Sequence, residues 1–359
     1  MSIKLGKIEI YMGPTELGAP DNLEEVIINF IDGTERSLDV AVQELESKPI
    51  TEALIRARQR KVIVKVVLEG SYLSLRRALK YPFSSYGQNE ANRRLHDAIL
   101  RANINVHTDF NPKIFHQKFI IRDTYKTTAA VLTGSTNFTP TGTAKNLNHI
   151  VIVRSKEVAK IYRNEFREIM RGHFGKYSEG RDPLPPEIDV SGVRVKVLFA
   201  PDHNPEMEIM KQILKARRRI DFAIFTFSRS SGIDDTMISV CGSKKILVRG
   251  AMDGPQSRQS WGAAAAVAEA GAKLFAVDRT PILGKLHHKI MVIDKQVIIA
   301  GSFNYTSPAT RLNDENIIII GNIEETRAKS IEAQKRLGQY VFAEINRIIE
   351  DHGEKFKIN

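Results

Sequence analysis

The chain contains the same pattern twice. His116-Gln-Lys118-Phe-Ile-Ile-Arg-Asp123, trailed by Gly134-Ser135-Thr-Asn137, returns as His287-His-Lys289-Ile-Met-Val-Ile-Asp294, trailed by Gly301-Ser302-Phe-Asn304. Each copy is a His-x-Lys-x4-Asp box followed by Gly-Ser-x-Asn, with the box histidines 171 residues apart and the glycines 167 apart. One such box arises by chance in roughly a few per cent of chains of this length. Two boxes with the same trailer at similar distance do not, so the fold must accommodate two copies of one unit.

Other echoes keep the same order. Ser37-Leu-Asp-Val-Ala-Val42 matches Arg219-Ile-Asp-Phe-Ala-Ile224, and both follow helix-like stretches, 22–32 and 206–218. Strand-like 62–68 matches 246–252, helix-like 90–102 matches 261–270, and His149-Ile-Val-Ile-Val153 matches Asn316-Ile-Ile-Ile-Ile320. Alternating strands and helices predict an α/β chain, a tandem duplication of a β-sheet layer covered by helices. The Gly- and Pro-rich stretch after residue 172 marks the seam, giving halves 1–175 and 193–359 joined by a linker, 176–192.

The apolar residues inside each box read as a buried strand, on which residues two apart share a face. His116 pairs in this way with Lys118, and His287 with Lys289. Asp123 and Asp294 lie an odd step further on and are expected to be structural. Ser135 and Asn137 again stand two apart, as do Ser302 and Asn304. Two lysines and two asparagines converging on one point would bind an anion, and two histidines would supply a nucleophile and an acid.

The doubled box resembles the signature of the phospholipase D superfamily, and the chain is similar to a two-motif, nuclease-like member of it. That resemblance implies two halves related by a pseudo-twofold axis with the boxes meeting at the interface. It further implies a metal-independent phosphodiesterase working through a covalent phosphohistidine, with no cofactor and no metal. One difference between the copies is informative: eleven residues after Asn304 stands Glu315, whereas eleven after Asn137 stands Asn148. Carried over from relatives with this asymmetry, Glu315 reaches across to His116 and makes it the nucleophile, Asn148 lies near His287, the general acid, and Ser135 and Ser302 are hydrogen-bonding supports.

Lys and Arg number 53 against 42 Asp and Glu, a net charge of +11, which favours a polyanionic partner. Nucleic acid, DNA or RNA, is the expected substrate. A phospholipase D or transphosphatidylase acting on membrane lipid, and a non-catalytic polyanion-binding module, are the alternatives. Arg76, Arg77 and Lys80, interleaved with aromatics, and Trp261 in a loop ahead of the second box are the candidates for gripping substrate. A single cysteine, Cys241, excludes an intrachain disulfide and a thiolate metal cluster. Of the other histidines, His96, His107, His149, His173 and His203 show no metal-ligand spacing, and His288 reads as packing. No run approaches the ~18 apolar residues of a membrane span, and the amino terminus has no signal-like apolar core, so a cytoplasmic location is expected. With both boxes in one chain, no dimer is needed to build the site.

Overall fold

The computed structural model describes residues 2–74, 79–87, 89–244 and 246–358, so Arg76 and Arg77 lie outside the described residues. The first half supplies β1 (Ile3–Leu5), β2 (Ile8–Gly13), β3 (Ser37–Val42), β4 (Ile63–Leu68), β5 (Asn105–Thr108), β6 (Lys118–Arg122), β7 (Ala130–Gly134) and β8 (Asn146–Val153). The second supplies β9 (Ile188–Val190), β10 (Val193–Ala200), β11 (Arg219–Ile224), β12 (Leu247–Asp253), β13 (Lys273–Val277), β14 (Lys285–Leu286), β15 (Lys289–Ile293), β16 (Val297–Gly301), β17 (Glu315–Ile320) and β18 (Gly353–Lys355). Among the described residues these form two nine-stranded sheets.

The first sheet runs β1-β2-β8-β7-β6-β3-β4-β5, with β14 of the second half paired to β8 as its ninth strand. The second runs β9-β10-β17-β16-β15-β11-β12-β13, with β18 beyond β13. Strand for strand the two orders agree. β3, β4 and β5 are parallel neighbours, as are β11, β12 and β13. Such pairs need crossovers, and helices Lys48–Gln59 and Glu90–Arg101 provide them in the first half. The box strands β6 and β15 are buried at every residue, in keeping with their β-branched and aromatic content.

Alternation along those strands decides which core each side chain joins. Phe119 and Ile121, with Ile290 and Val292, point into a central cluster that also holds Tyr162 and Phe166 of helix Lys156–Met170 and Leu337, Val341 and Ile345 of helix Ala328–His352. Ile120 joins the outer cluster of the first half and Met291 that of the second. The sheets therefore face one another across two long helices, with further helices covering their outer faces. Burying each large apolar side chain contributes about 1.5–3 kcal/mol, and in the central cluster that energy joins the halves.

Three boundaries differ from the sequence reading. The helix expected over 206–218 ends at Leu214, because the backbone N–H groups of Arg217, Arg218 and Arg219 turn to the Asp294 carboxylate at 2.8 Å each. The helix expected from Trp261 is confined to Ala264–Glu269, leaving Trp261 in the preceding loop. Within the 176–192 stretch, β9 pairs with β10 and so belongs to the second sheet. None of the described helices is long and apolar enough to cross a membrane.

Candidate active site

Just before each box the backbone crosses to the other half. His116 N donates to Asp314 O at 3.0 Å and Asp314 N to Ile114 O at 3.1 Å. In the mirror arrangement β14 lies parallel to β8, and His287 N donates to Leu147 O at 2.9 Å. Each histidine thus stands at the start of an interior strand of its own sheet but is fastened to the strand of its twin. Within each half, Gly134 and Gly301 let neighbouring strands close up at the ends that carry the site: a Cβ on either would stand 2.2 Å from the carbonyl oxygen of His149 or Asn316.

The side chains cross over in the same way. His116 Nδ1 lies 2.6 Å from Glu315 Oε2, and His287 Nδ1 lies 3.0 Å from Asn148 Oδ1. Ser302 Oγ donates to the same Glu315 oxygen at 2.6 Å, Asn313 Nδ2 donates to the other at 3.2 Å, and Ser135 Oγ donates to Asn148 Oδ1 at 2.7 Å. With Nδ1 occupied in both rings, each Nε2 is the free nitrogen, and both histidines line one cleft of about 590 Å³ between the halves. Lys118 Nζ donates to Gln43 Oε1 (3.0 Å) and His116 O (2.8 Å), and Lys289 Nζ donates to His287 O (2.9 Å) beneath the Phe225 ring. Asn137 Nδ2 donates to Glu44 Oε1 at 2.8 Å, while the buried Oδ1 atoms of Asn137 and Asn304 have no partner.

Burial governs the charge here. It pulls the Lys118 ammonium down to about 7, against the attraction of Glu315, Glu44 and Glu69, and it lowers Lys289 well below the usual lysine range with Lys118 adding to the effect. Both histidines are held well below their ordinary value, first by burial and then by the neighbouring lysines. Burial also pushes the Glu315 carboxyl up to about 8, opposed by Lys118 and by the hydrogen bonds from Ser302 and Asn313. Three donors around Glu315 suit a carboxylate. A monoanionic ligand between the rings would oppose that pressure on all four groups, so binding should be accompanied by proton uptake.

Asp123 and Asp294 stay out of the cleft. Asp123 adopts a left-handed backbone (φ 52°) and accepts from the N–H groups of Glu35, Arg36 and Ser37 and from Thr128 Oγ1. Asp294 does the same for Arg217 to Arg219. Asp123→Ala is therefore expected to lower the unfolding free energy by about 1–3 kcal/mol for the orphaned donors while leaving turnover per folded molecule near wild type. Denaturant unfolding alongside active-fraction kinetics checks this; a collapse of turnover without loss of stability would contradict it.

Trp261 lines the cleft, but Lys80 does not; it stands exposed over Tyr81 in the 79–87 loop, and Tyr72 is the residue of that insert that reaches the wall. Sequence reasoning missed Gln43, Glu44, Phe225 and Lys285, all of which line the cleft. Gln43-Glu44 and Phe225-Thr226 directly follow the matched strands β3 and β11. Their position at the carboxyl ends of parallel strands was the available signal. Among the described residues no group of three or more His, Cys, Asp or Glu side chains is arranged to hold a metal ion.

Comparison with known proteins agrees with the duplication. The family described as "Cardiolipin synthase, PLD-like domain" matches twice, over residues 27–170 and 209–334. The chain belongs to the phospholipase D superfamily. A phospholipase D of Rickettsia felis is 34% identical over 143 residues, 40% of this chain and 62% of the relative. A mitochondrial cardiolipin hydrolase of Xenopus tropicalis is 30% identical over 128 residues, 36% of this chain and 59% of that one. The matches thus span about three fifths of the length of these curated relatives. Among solved structures, phosphatidylserine synthase of Haemophilus influenzae superposes with a TM-score of 0.67 at 15% identity, over 99% of this chain and 89% of that one. At that identity the likeness speaks for the phospholipase D fold alone.

Proposed function

We propose that the protein is a metal-independent phosphodiesterase that hydrolyses nucleic acid. The mechanism rests on one observation, the unequal support of the two histidines: a carboxylate for His116, an amide for His287. The Glu315 carboxylate holds the proton on Nδ1 of His116 and makes Nε2 the stronger nucleophile. That nitrogen attacks phosphorus, the bond to the leaving oxygen breaks, and His287, made imidazolium by the proton taken up on binding, delivers its Nε2 proton to that oxygen. Water then attacks the phosphoryl-His116 intermediate, gives its proton to His287, and the N–P bond breaks. Lys118, Lys289, Asn137 and Asn304 are assigned to the phosphoryl oxygens.

Nucleic acid is favoured by the cleft walls, which are mostly amide and hydroxyl side chains with three aromatic side chains, Tyr72, Phe225 and Trp261, and by the net charge of +11. Phospholipid is the second reading. The Rickettsia and Xenopus relatives carry phospholipid names, and exposed apolar side chains lie on the segments that lead to Ile114 and Lys285 of the cleft: Phe110 (83% exposed) and Ile282 (66%). Such side chains could enter a membrane surface. The test sets labelled single- and double-stranded DNA and RNA beside cardiolipin and phosphatidylcholine vesicles, all in excess EDTA. Chelator-resistant cutting of nucleic acid is the expected result; cleavage of vesicles alone would replace it with the lipid reading, and activity abolished by EDTA would sink the two-histidine mechanism.

A further inference from the structure

Behind the loop that carries Trp261 lies a second hollow, of about 340 Å³, lined by Arg229, Arg258, Lys355 and Lys357 with Glu354. Only a thin rib separates it from the catalytic cleft. Segment 227–229 runs antiparallel to 261–263, with Arg229 N donating to Trp261 O at 3.1 Å and Ala263 N to Phe227 O at 3.0 Å. Ser228, Ser230 and Trp261 face the cleft, whereas Arg229, Ser260 and Gly262 face the hollow. Arg258 is committed to Asp278. Among the described residues Arg229, Lys355 and Lys357 have no ion-pair partner.

The duplication does not account for this feature. Lys355 is brought in by β18, which pairs with β13, and the first sheet has no strand beyond β5 among the described residues. The catalytic cleft thus has a cationic neighbour on its second-half side, and the aromatic ring on the dividing rib is 43% exposed. Cation, aromatic face and cation in succession match the phosphate, base and phosphate of a single strand. A lone phosphodiester would occupy the cleft and leave the hollow unused.

We propose that this hollow binds the phosphate flanking the scissile one in a single-stranded nucleic acid, with Trp261 stacking on the base between them. The assignment rests on the nuclease reading above and adds a path to it, past Trp261 on the second-half side of the cleft. Substrates with several phosphates should therefore bind better than a dinucleotide by more than statistics allows.

Trp261 is the only tryptophan, so its fluorescence reports strand binding without turnover. The experiment titrates the His116→Ala chain with the dinucleotide TpT and with hexathymidylate, then repeats both with Arg229→Gln, Lys355→Gln and Lys357→Gln added. Wild-type cutting of the same oligomers, and of phosphatidylcholine vesicles, runs in parallel. Hexathymidylate should quench Trp261 and bind at least tenfold more tightly than TpT. The three substitutions should erase that advantage, leave TpT binding unchanged, and reduce the salt dependence by about 0.7 logarithmic units for each phosphate-bound cation removed. If the wild type cuts hexathymidylate but the substitutions change nothing, the hollow is not a phosphate site and the nuclease reading survives. If only vesicles are cut, both proposals fall together.

Discussion

With a phosphodiester whose leaving group is p-nitrophenolate, the His287→Ala variant is expected to release one equivalent of p-nitrophenol in a burst and then stall. Such a leaving group departs without a proton, so loss of the acid should spare the first step. Hydrolysis of the intermediate still needs a base to take a proton from water, and removing that base should slow it by about 10²–10⁴-fold. The stalled species should carry acid-labile phosphate on His116, the ring held by Glu315 at 2.6 Å. His116→Ala should show neither burst nor label. Phosphate found on His287 in the His116→Ala variant would reverse the two roles.

The second large effect concerns a pair of histidines below the cleft. His149 Nδ1 lies 3.1 Å from His288 Nδ1 with the rings parallel, and Gly301 N donates to His149 Nε2 at 3.3 Å. At the pseudo-symmetric place stand Asn316 and Gln117, joined at 2.7 Å. The fold has therefore already built an uncharged version of the same contact, and His149→Asn with His288→Gln should be tolerated. Burial lowers His149 to about 3 and holds His288 well below its ordinary value, with each ring's neighbours, including Lys289 and Arg347, pressing the same way. An unfolded histidine takes up a proton below about pH 6.5. From there downward the unfolded wild-type chain binds protons that the folded chain refuses, and folding stability is lost toward acid. The double variant lacks this effect. Its stability relative to wild type should rise by about 3 kcal/mol per pH unit below 6.5, and be flat above it. Buried carboxyls such as Asp314, raised to about 7, titrate in both chains and cancel in the difference. Urea unfolding of both proteins at pH 7.5, 6 and 5 measures it; parallel curves would show that the pair already carries a proton or relaxes into water.

Much of this architecture is legible in the chain alone. The two boxes and their echoes mark out the matching strands of each half, because Val, Ile and Phe in short runs leave few alternatives to a buried strand. The contact of His116 with Glu315 was readable from a single substitution between copies, but only through family resemblance. Nothing local says that residue 315 meets residue 116. Phe225 and Glu44 were overlooked for a different reason: they occupy loop positions where the two copies differ, and a repeat search rewards sameness, so only their place at the carboxyl ends of matched strands pointed to them. Lys80 misled because charge interleaved with aromatics describes a composition, not a location. The His149–His288 contact lay beyond reach, since it depends on two sheets approaching across the duplication.

That approach also limits how the copies can change. Each half offers the other a strand edge, β8 for β14 and the residues before β17 for Ile114 to His116. Each half also holds the ring of the other's histidine. A substitution in one copy is thus felt first in its twin. The usual freedom of a duplicated gene segment, in which one copy drifts while the other keeps the old task, is closed to these strands. They can diverge only as matched partners, and the Glu315–Asn148 difference acts on the histidine of the opposite copy in each case.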